Sequence, residues 1–543
     1  MEFGALNWAI VIAYLVGNLA LGFAFSRKVE TAADYQLGTR TSPWWAIGIS
    51  VIATYVSALS FLGGPAWAYG DGMAALAIHV NYPLVIFLVV VVFLPFFYSS
   101  GVASIYDYLE RRFGPASRSV IAILFLITQT ITTASILTAT AVVITFATGL
   151  DVRASIILMT VIVLAYTMLG GMNAVIWTDV LQGVVLFVGA GVIFYYALDA
   201  TSPLKSALAE LDAAGKLNPI NLAPDFSIAP TIWAGVIAMT LFHITVYGGN
   251  QMMVQRALAA KSLGDAKKSY LMMGYAAFFI YFLFFFIGAL MYAFYDGKPF
   301  EQPNAIILIF AQSLAIPGLL GLLAAAILSA SMSSLSSAFN SLATVTITDF
   351  YQRYFRKSAS DAHFLIVARG LTVFWGLVAI PIAFGFINSG GSILERLTQV
   401  SSYFVGAKLA MFFLGFFSKH ANQAGLLVGV VVGFLVLYAV VSGVPALGFV
   451  ALDVAWPWYV VIGGGVNIAV GWTASVLLGG FKKDWHEQTM FGQLHRFRTQ
   501  NLPMKIDGWF VAPGRVDAAS WGLIVFFFLS IAFLAAFAAY GRS

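Results

Sequence analysis

A chain of 543 residues that is 61% hydrophobic and only 9% charged cannot cover a water-facing surface, for which about a quarter charged is usual. That excludes an ordinary soluble enzyme or binding domain. A bilayer core roughly 30 Å thick needs about 20 apolar residues per crossing helix, so there is room for a dozen or more spans and little else. The absence of cysteine rules out disulfides, thiolate metal sites and a cysteine nucleophile. The formal net charge of +5 raises the question of a polyanionic partner, which the placement of the cations answers below.

In chain order, apolar runs fall at 7–25, 44–69, 73–98, 119–147, 155–169, 174–198 and 231–254, and then at 270–294, 315–346, 364–386, 397–417, 424–441, 458–478 and 520–540. The reading is an all-α membrane protein of about fourteen transmembrane helices in one domain. The first run is followed by Ser26, Arg27 and Lys28 without a small-residue cleavage site, and is read as a retained span rather than a signal peptide.

Loops after spans one, three, seven, nine, eleven and thirteen hold most of the cations, among them Arg27, Lys28, Arg40, Arg111, Arg112, Arg256, Lys267, Arg353 and Lys483. The opposite loops and the C-terminus hold only Arg153, Lys205, Lys216, Lys298, Arg396 and Arg542. Cationic loops stay cytoplasmic, so both termini are expected outside a plasma (inner) membrane. The same bias accounts for the basic charge, and no nucleic-acid partner is needed.

Two spans read as discontinuous. Span two mixes β-branched and hydroxyl residues over 50–62 before Gly63, Gly64 and Pro65, and span seven carries Tyr247-Gly248-Gly249-Asn250. Interruptions five helices apart are the sequence sign of an inverted-repeat transporter with a midplane site; glycine-mediated helix packing is the plainer alternative. Span nine adds Ser333, Ser334, Ser336 and Ser337, which at 100° per residue fan over roughly 160° of one helix. Such a wall of hydroxyls suits a hard cation, or else bonds back to its own helix.

Asp179 lies in the first turn of span six, where a carboxylate either neutralises a bound cation or faces the positive helix terminus. Lys408 sits deep in span eleven, placed to meet an anion or to snorkel. His79 and His243 fall within spans three and seven, as interhelical hydrogen-bonding groups or solute contacts.

These features, with Ala33-Asp-Tyr-Gln-Leu-Gly38, Pro43-Trp-Trp-Ala46, Tyr108-Leu-Glu-Arg-Arg-Phe-Gly114, the run from Gly170 to Gln182, Val254-Gln-Arg-Ala-Leu-Ala-Ala-Lys261 and Asp349-Phe-Tyr351, resemble the sodium:solute symporters, which include glucose, proline, pantothenate and sialic acid transporters. The resemblance implies a LeuT-like core of two inverted five-helix repeats, 44–198 and 231–417, with a leading helix at 7–25 and three more over 424–540. It implies sodium-driven import of a small solute by alternating access, with Na+ as coupling ion and no organic cofactor. One Na+ is expected on the carbonyls of Ala53, Val56 and Ala330 and the hydroxyls of Ser333 and Ser334; Ser336, Ser337 and Asp179 make a second ion the working expectation. Solute positions correspond to Ser60, His79, Thr132 (near Gln129 and Thr133), His243, Tyr247 and Lys408. They match neither the sugar nor the sialic acid pattern, and the expected solute is an organic anion or zwitterion, such as a monocarboxylate or amino acid. A sodium/sugar-type symporter and a sodium-conducting channel are the alternatives.

Overall fold

In hydrocarbon every backbone N–H and C=O must be satisfied within the protein, so long apolar runs become helices. The structure, a computed structural model, describes residues 3–26, 41–100, 105–387 and 392–542. The motif at 33–38 and the cations Arg27, Lys28 and Arg40 lie outside those residues. Among the described residues, strand structure is confined to one small antiparallel pair, Lys505–Ile506 with Trp509–Phe510.

Eleven helices among the described residues are long and apolar enough to cross a membrane by themselves, against fourteen apolar runs in the sequence. The difference has a physical cause. The runs at 44–69 and 231–254 are interrupted and leave short helices, Trp44–Tyr55 and Ala234–Tyr247, and the run at 155–169 begins a helix that continues unbroken over Val152–Ala200. A straight helix of that length would measure about 74 Å, which exceeds twice the hydrocarbon thickness. A short helix spanning Pro303–Ser313 is an addition to the expected elements.

The serine-bearing helix Leu319–Val345 is the axis of the bundle. It packs on Ala5–Ser26, Trp44–Tyr55, Pro115–Thr148, Val152–Ala200 and Asp361–Phe386, and of its residues only Leu322 is not buried. Helices further out turn large apolar side chains outward, as at Val161, Phe279, Leu377, Leu435 and Phe528, the pattern of a lipid-facing surface.

At one end of the bundle, charged side chains tie three elements together. Arg353 grips both oxygens of Glu110, and the bond to Oε1 is 2.5 Å. Arg118 reaches Glu110 at 2.9 Å and Asp349 at 2.5 Å. Arg112 lies buried beneath them and donates to the carbonyls of Gly415, Ser418 and Ala421. It thereby caps the C-terminal end of Ile393–Phe417, where a cation suits the helix dipole.

Hydrogen bonding from Arg353, reinforced by Arg118 against the cost of burial, holds the Glu110 carboxyl down to about 2 from its ordinary 4.5. A depressed carboxylate contributes stability that is present above its unfolded pKa and lost as pH falls through the folded one. Glu110→Gln should therefore melt below wild type by the same margin at pH 7 and pH 5.5, the gap closing only below about pH 4.5. Melting curves across that range check this, and a gap that closes between pH 7 and 5.5 contradicts it.

Candidate functional site

Span two leaves the helix earlier than its glycines indicate. The helix Trp44–Tyr55 ends at Val56, whose ψ of 91° is extended. Helical structure resumes as a wide turn, Leu59–Gly63, and runs on through Gly64–Asp71. Gly63 and Gly64 do not mark the break. A Cβ on Gly63 would come within 2.8 Å of Leu394, so that glycine permits close approach instead.

At the break the hydrogen-bond ladder is redirected. The amide of Ser60, which an unbroken helix sends to Val56, goes to the Ser57 carbonyl at 3.0 Å. That of Leu59, which would bond Tyr55, goes to Ser57 Oγ at 3.2 Å. Carbonyl oxygens at 55 and 56 are released where a cation can use them.

Span seven breaks where its glycines stand. The helix Met239–Tyr247 stops at Gly248, and Asn250 caps the next half-helix, Gln251–Leu258, by accepting from the Met252 amide at 2.9 Å. Both glycines are sites of tight packing: a Cβ would meet Phe93 at 2.6 Å from Gly248 and Phe412 at 3.0 Å from Gly249.

The serine wall divides into two kinds of hydroxyl. Ser336 and Ser337 bond back to the Ser333 carbonyl, at 3.1 and 2.7 Å, as serines in apolar helices commonly do. Ser333 and Ser334 reach across. Ser334 donates to the Thr54 carbonyl at 2.7 Å and to Ala330 at 3.2 Å, which sets its oxygen against the broken end of span two. Ser333 donates to Asp179 Oδ1 at 2.6 Å.

Asp179 is wholly buried and already has a cation. Arg256 Nη2 lies 3.3 Å from its Oδ2, and the same guanidinium donates to Ser50 Oγ at 2.9 Å, to the Met252 carbonyl at 2.7 Å and to Ser337 Oγ. Ser50 also donates to Asp179 at 2.5 Å. Arg256 was counted above with the loop cations. It instead belongs to the half-helix Gln251–Leu258 and is fully buried, as is Lys267, which pairs with Asp517 at 2.6 Å. The sequence signal for Arg256 was Asp179 itself, since a buried carboxylate requires a countercharge.

Between the two broken spans lies a cavity of about 130 Å³. Of the expected solute residues, Ser60, Thr132 and Lys408 line it, together with Gln129, Thr54 and Ser334. The Lys408 ammonium donates to Thr128 Oγ1 at 2.5 Å, and Lys408 is the one charged residue in the described lining.

His79, His243 and Tyr247 are not in that lining. They form a buried layer behind it, where His79 Nδ1 meets the Tyr82 hydroxyl at 3.0 Å and His243 Nδ1 meets Asn81 Oδ1 at 3.0 Å. Tyr247 packs on Tyr55 with ring centres 5.0 Å apart. Their polarity was legible in the sequence, but their depth relative to the cavity was not.

Comparison with known proteins gives a context for this geometry. The family model described as "Sodium:solute symporter family" matches residues 35–433. The human sodium-coupled monocarboxylate transporter 1 is 30% identical over 79% of this chain and 72% of its own length. The sodium/sialic acid symporter SiaT of Proteus mirabilis is 29% identical over 86% of this chain and 95% of its own. A solved structure of a Na+-coupled sialic acid symporter, substrate-bound and outward-open, superposes with a TM-score of 0.79 at 28% identity, covering 88% of this chain and 98% of that one. A helix axis studded with serines, two broken spans and a polar cavity between them thus sit in a chain that belongs to the sodium:solute symporter family.

Proposed function

We propose that this symporter imports a small organic anion, such as a monocarboxylate, with its carboxylate on Lys408. The observation that carries this reading is the buried ammonium in the cavity, held by the hydroxyl of Thr128 with no carboxylate among its recorded partners. A charge at that depth is costly until it is neutralised, and an anionic solute supplies the neutralisation. Monocarboxylate transporters are among the relatives, beside transporters of sialic acid, vitamins and iodide.

One Na+ is assigned to the carbonyls of Ala53, Val56 and Ala330 and the hydroxyls of Ser333 and Ser334. Thr54 and Ser334 border both that oxygen cluster and the solute cavity, so ion and solute stabilise one arrangement of the same residues. Coupling follows, because each ligand binds better to the arrangement the other favours. A second Na+ at Asp179, Ser336 and Ser337 requires the Arg256 guanidinium to withdraw, and movement of its half-helix Gln251–Leu258 during alternating access provides that route. The repeats are read as 44–198 and 231–417, supported by breaks in the first helix of each. Loop charges support both termini outside the cell membrane.

Lys408→Ala should lower the apparent affinity for lactate or pyruvate by about tenfold or more, equivalent to roughly 1.4 kcal/mol, while the Na+ affinity measured without solute stays near wild type. Sodium-driven uptake into proteoliposomes reads the first and Na+-dependent thermal stabilisation the second. Unchanged uptake of every small acid removes Lys408 from the site. For the second ion, Asp179→Ala should bring the sodium Hill coefficient of uptake from near two to near one; a coefficient near one in both proteins argues for a single ion, and one near two in both removes Asp179 from the second site.

A further inference from the structure

The rim of the bundle that holds Arg112 also holds cations without a countercharge. Lys419 lies just past the helix Ile393–Phe417, and Lys482 just past the helix Tyr459–Gly479. Three hydrogen bonds tie these two ends together. His420 Nδ1 accepts from the Lys482 amide at 3.1 Å, and Asn422 bonds Ser475 through its amide at 3.1 Å and its side chain at 2.8 Å. With Nδ1 accepting, the neutral His420 ring keeps its proton on Nε2, as a donor. Neither lysine forms an ion pair among the described residues, although Asp484 and Glu487 stand in the loop of Lys482. The cations act on one another instead. Partial burial, then the Arg112 guanidinium, lowers the Lys482 ammonium below its ordinary value, and slight desolvation, then Lys419 and Lys482, does the same to the His420 imidazole.

Between the two helix ends runs a groove of about 260 Å³, whose lining includes Lys419, His420, Phe413, Ile468, Trp472 and Trp485. Phe413 is 44% exposed and each tryptophan 40%, so the wall below the cations is aromatic and faces outward from the bundle. Tryptophans on spanning helices gather at headgroup level, and basic pockets between such helices suit anionic headgroups. A soluble anion would use the cations and leave that wall without a role.

We propose that this groove holds one anionic phospholipid, its phosphate on Lys419 and Lys482 with His420 Nε2 donating, and its chains along Phe413, Ile468 and Trp472. The phosphate supplies the countercharge that the rim lacks. It also ties the end of span eleven to that of span thirteen, opposite the cap that Arg112 already makes on span eleven through Gly415, Ser418 and Ala421. The lipid thereby steadies the helix that carries Lys408.

Thermal unfolding of the full chain in detergent tests this, with added short-chain phosphatidylglycerol, the matching phosphatidylcholine, or glycerol phosphate. Phosphatidylglycerol should raise the melting temperature of wild type at concentrations where the other two do not. Lys419→Gln combined with Lys482→Gln should need about tenfold or more phosphatidylglycerol for the half-maximal shift, since two lysines have left the headgroup. Lys261→Gln combined with Lys357→Gln removes the same charge from exposed positions elsewhere and should respond as wild type does. Equal responses of wild type to the two lipids overturn the site. So does an equal loss in both double variants, which marks a general surface charge. A response to glycerol phosphate that matches phosphatidylglycerol makes the ligand a soluble phosphate and overturns the lipid. If the Lys419 and Lys482 double variant does not fold, Lys482→Gln alone, at an exposed position, should still need several times more phosphatidylglycerol, and an undiminished response there overturns the site.

Discussion

The structure depends on one constraint: a helix that breaks inside a membrane must find partners for the backbone groups it releases. Span two breaks at Val56, and the amides of Leu59 and Ser60, which an unbroken helix would send back to Tyr55 and Val56, turn instead to the side chain and the carbonyl of Ser57. Ser334 covers the Thr54 carbonyl from the neighbouring helix. The remaining oxygens are suited to a hard cation, which makes the proposed Na+ a structural completion of the break. Ion binding and the conformation of span two are then one event.

The buried charges obey the corresponding rule for side chains. Asp179 is neutralised from within by Arg256, which rides on the half-helix below the second break and also holds Ser50 and Ser337. A pair with that many hydrogen bonds is expensive to disrupt by removing one partner, and the proposed second Na+ would have to take the place of Arg256 there. Lys408 is the opposite case, since its recorded partner is neutral. The first arrangement fits a resident countercharge, and the second fits a countercharge that arrives with the solute.

Much of this was legible in the sequence because bilayer physics leaves few alternatives. Apolar run length gave the helices, and the glycines at 248 and 249 gave the second break. Gly63, Gly64 and Pro65 pointed to the right helix but not to the right turn of it, because those residues serve packing and helix initiation, and the ladder opens at Val56 instead. Serines identical in type divide by direction, two inward to their own helix and two across it, and direction is set by neighbours. Arg256 was misplaced because a cation just past an apolar run reads as a loop residue. His79 and His243 are polar and buried, as their sequence context indicates, yet they lie outside the cavity lining, which includes Tyr281, the ring stacked on His79.

In the proposed mechanism coupling turns on Ser334, whose hydroxyl joins the serine helix to the broken end of span two beside the solute cavity. Uptake of radiolabelled lactate or pyruvate by proteoliposomes, with and without an imposed sodium gradient, compares wild type with Ser334→Ala. Gradient-driven accumulation is expected in wild type, with its loss in Ser334→Ala. Undiminished sodium-driven accumulation in the variant would contradict the assignment.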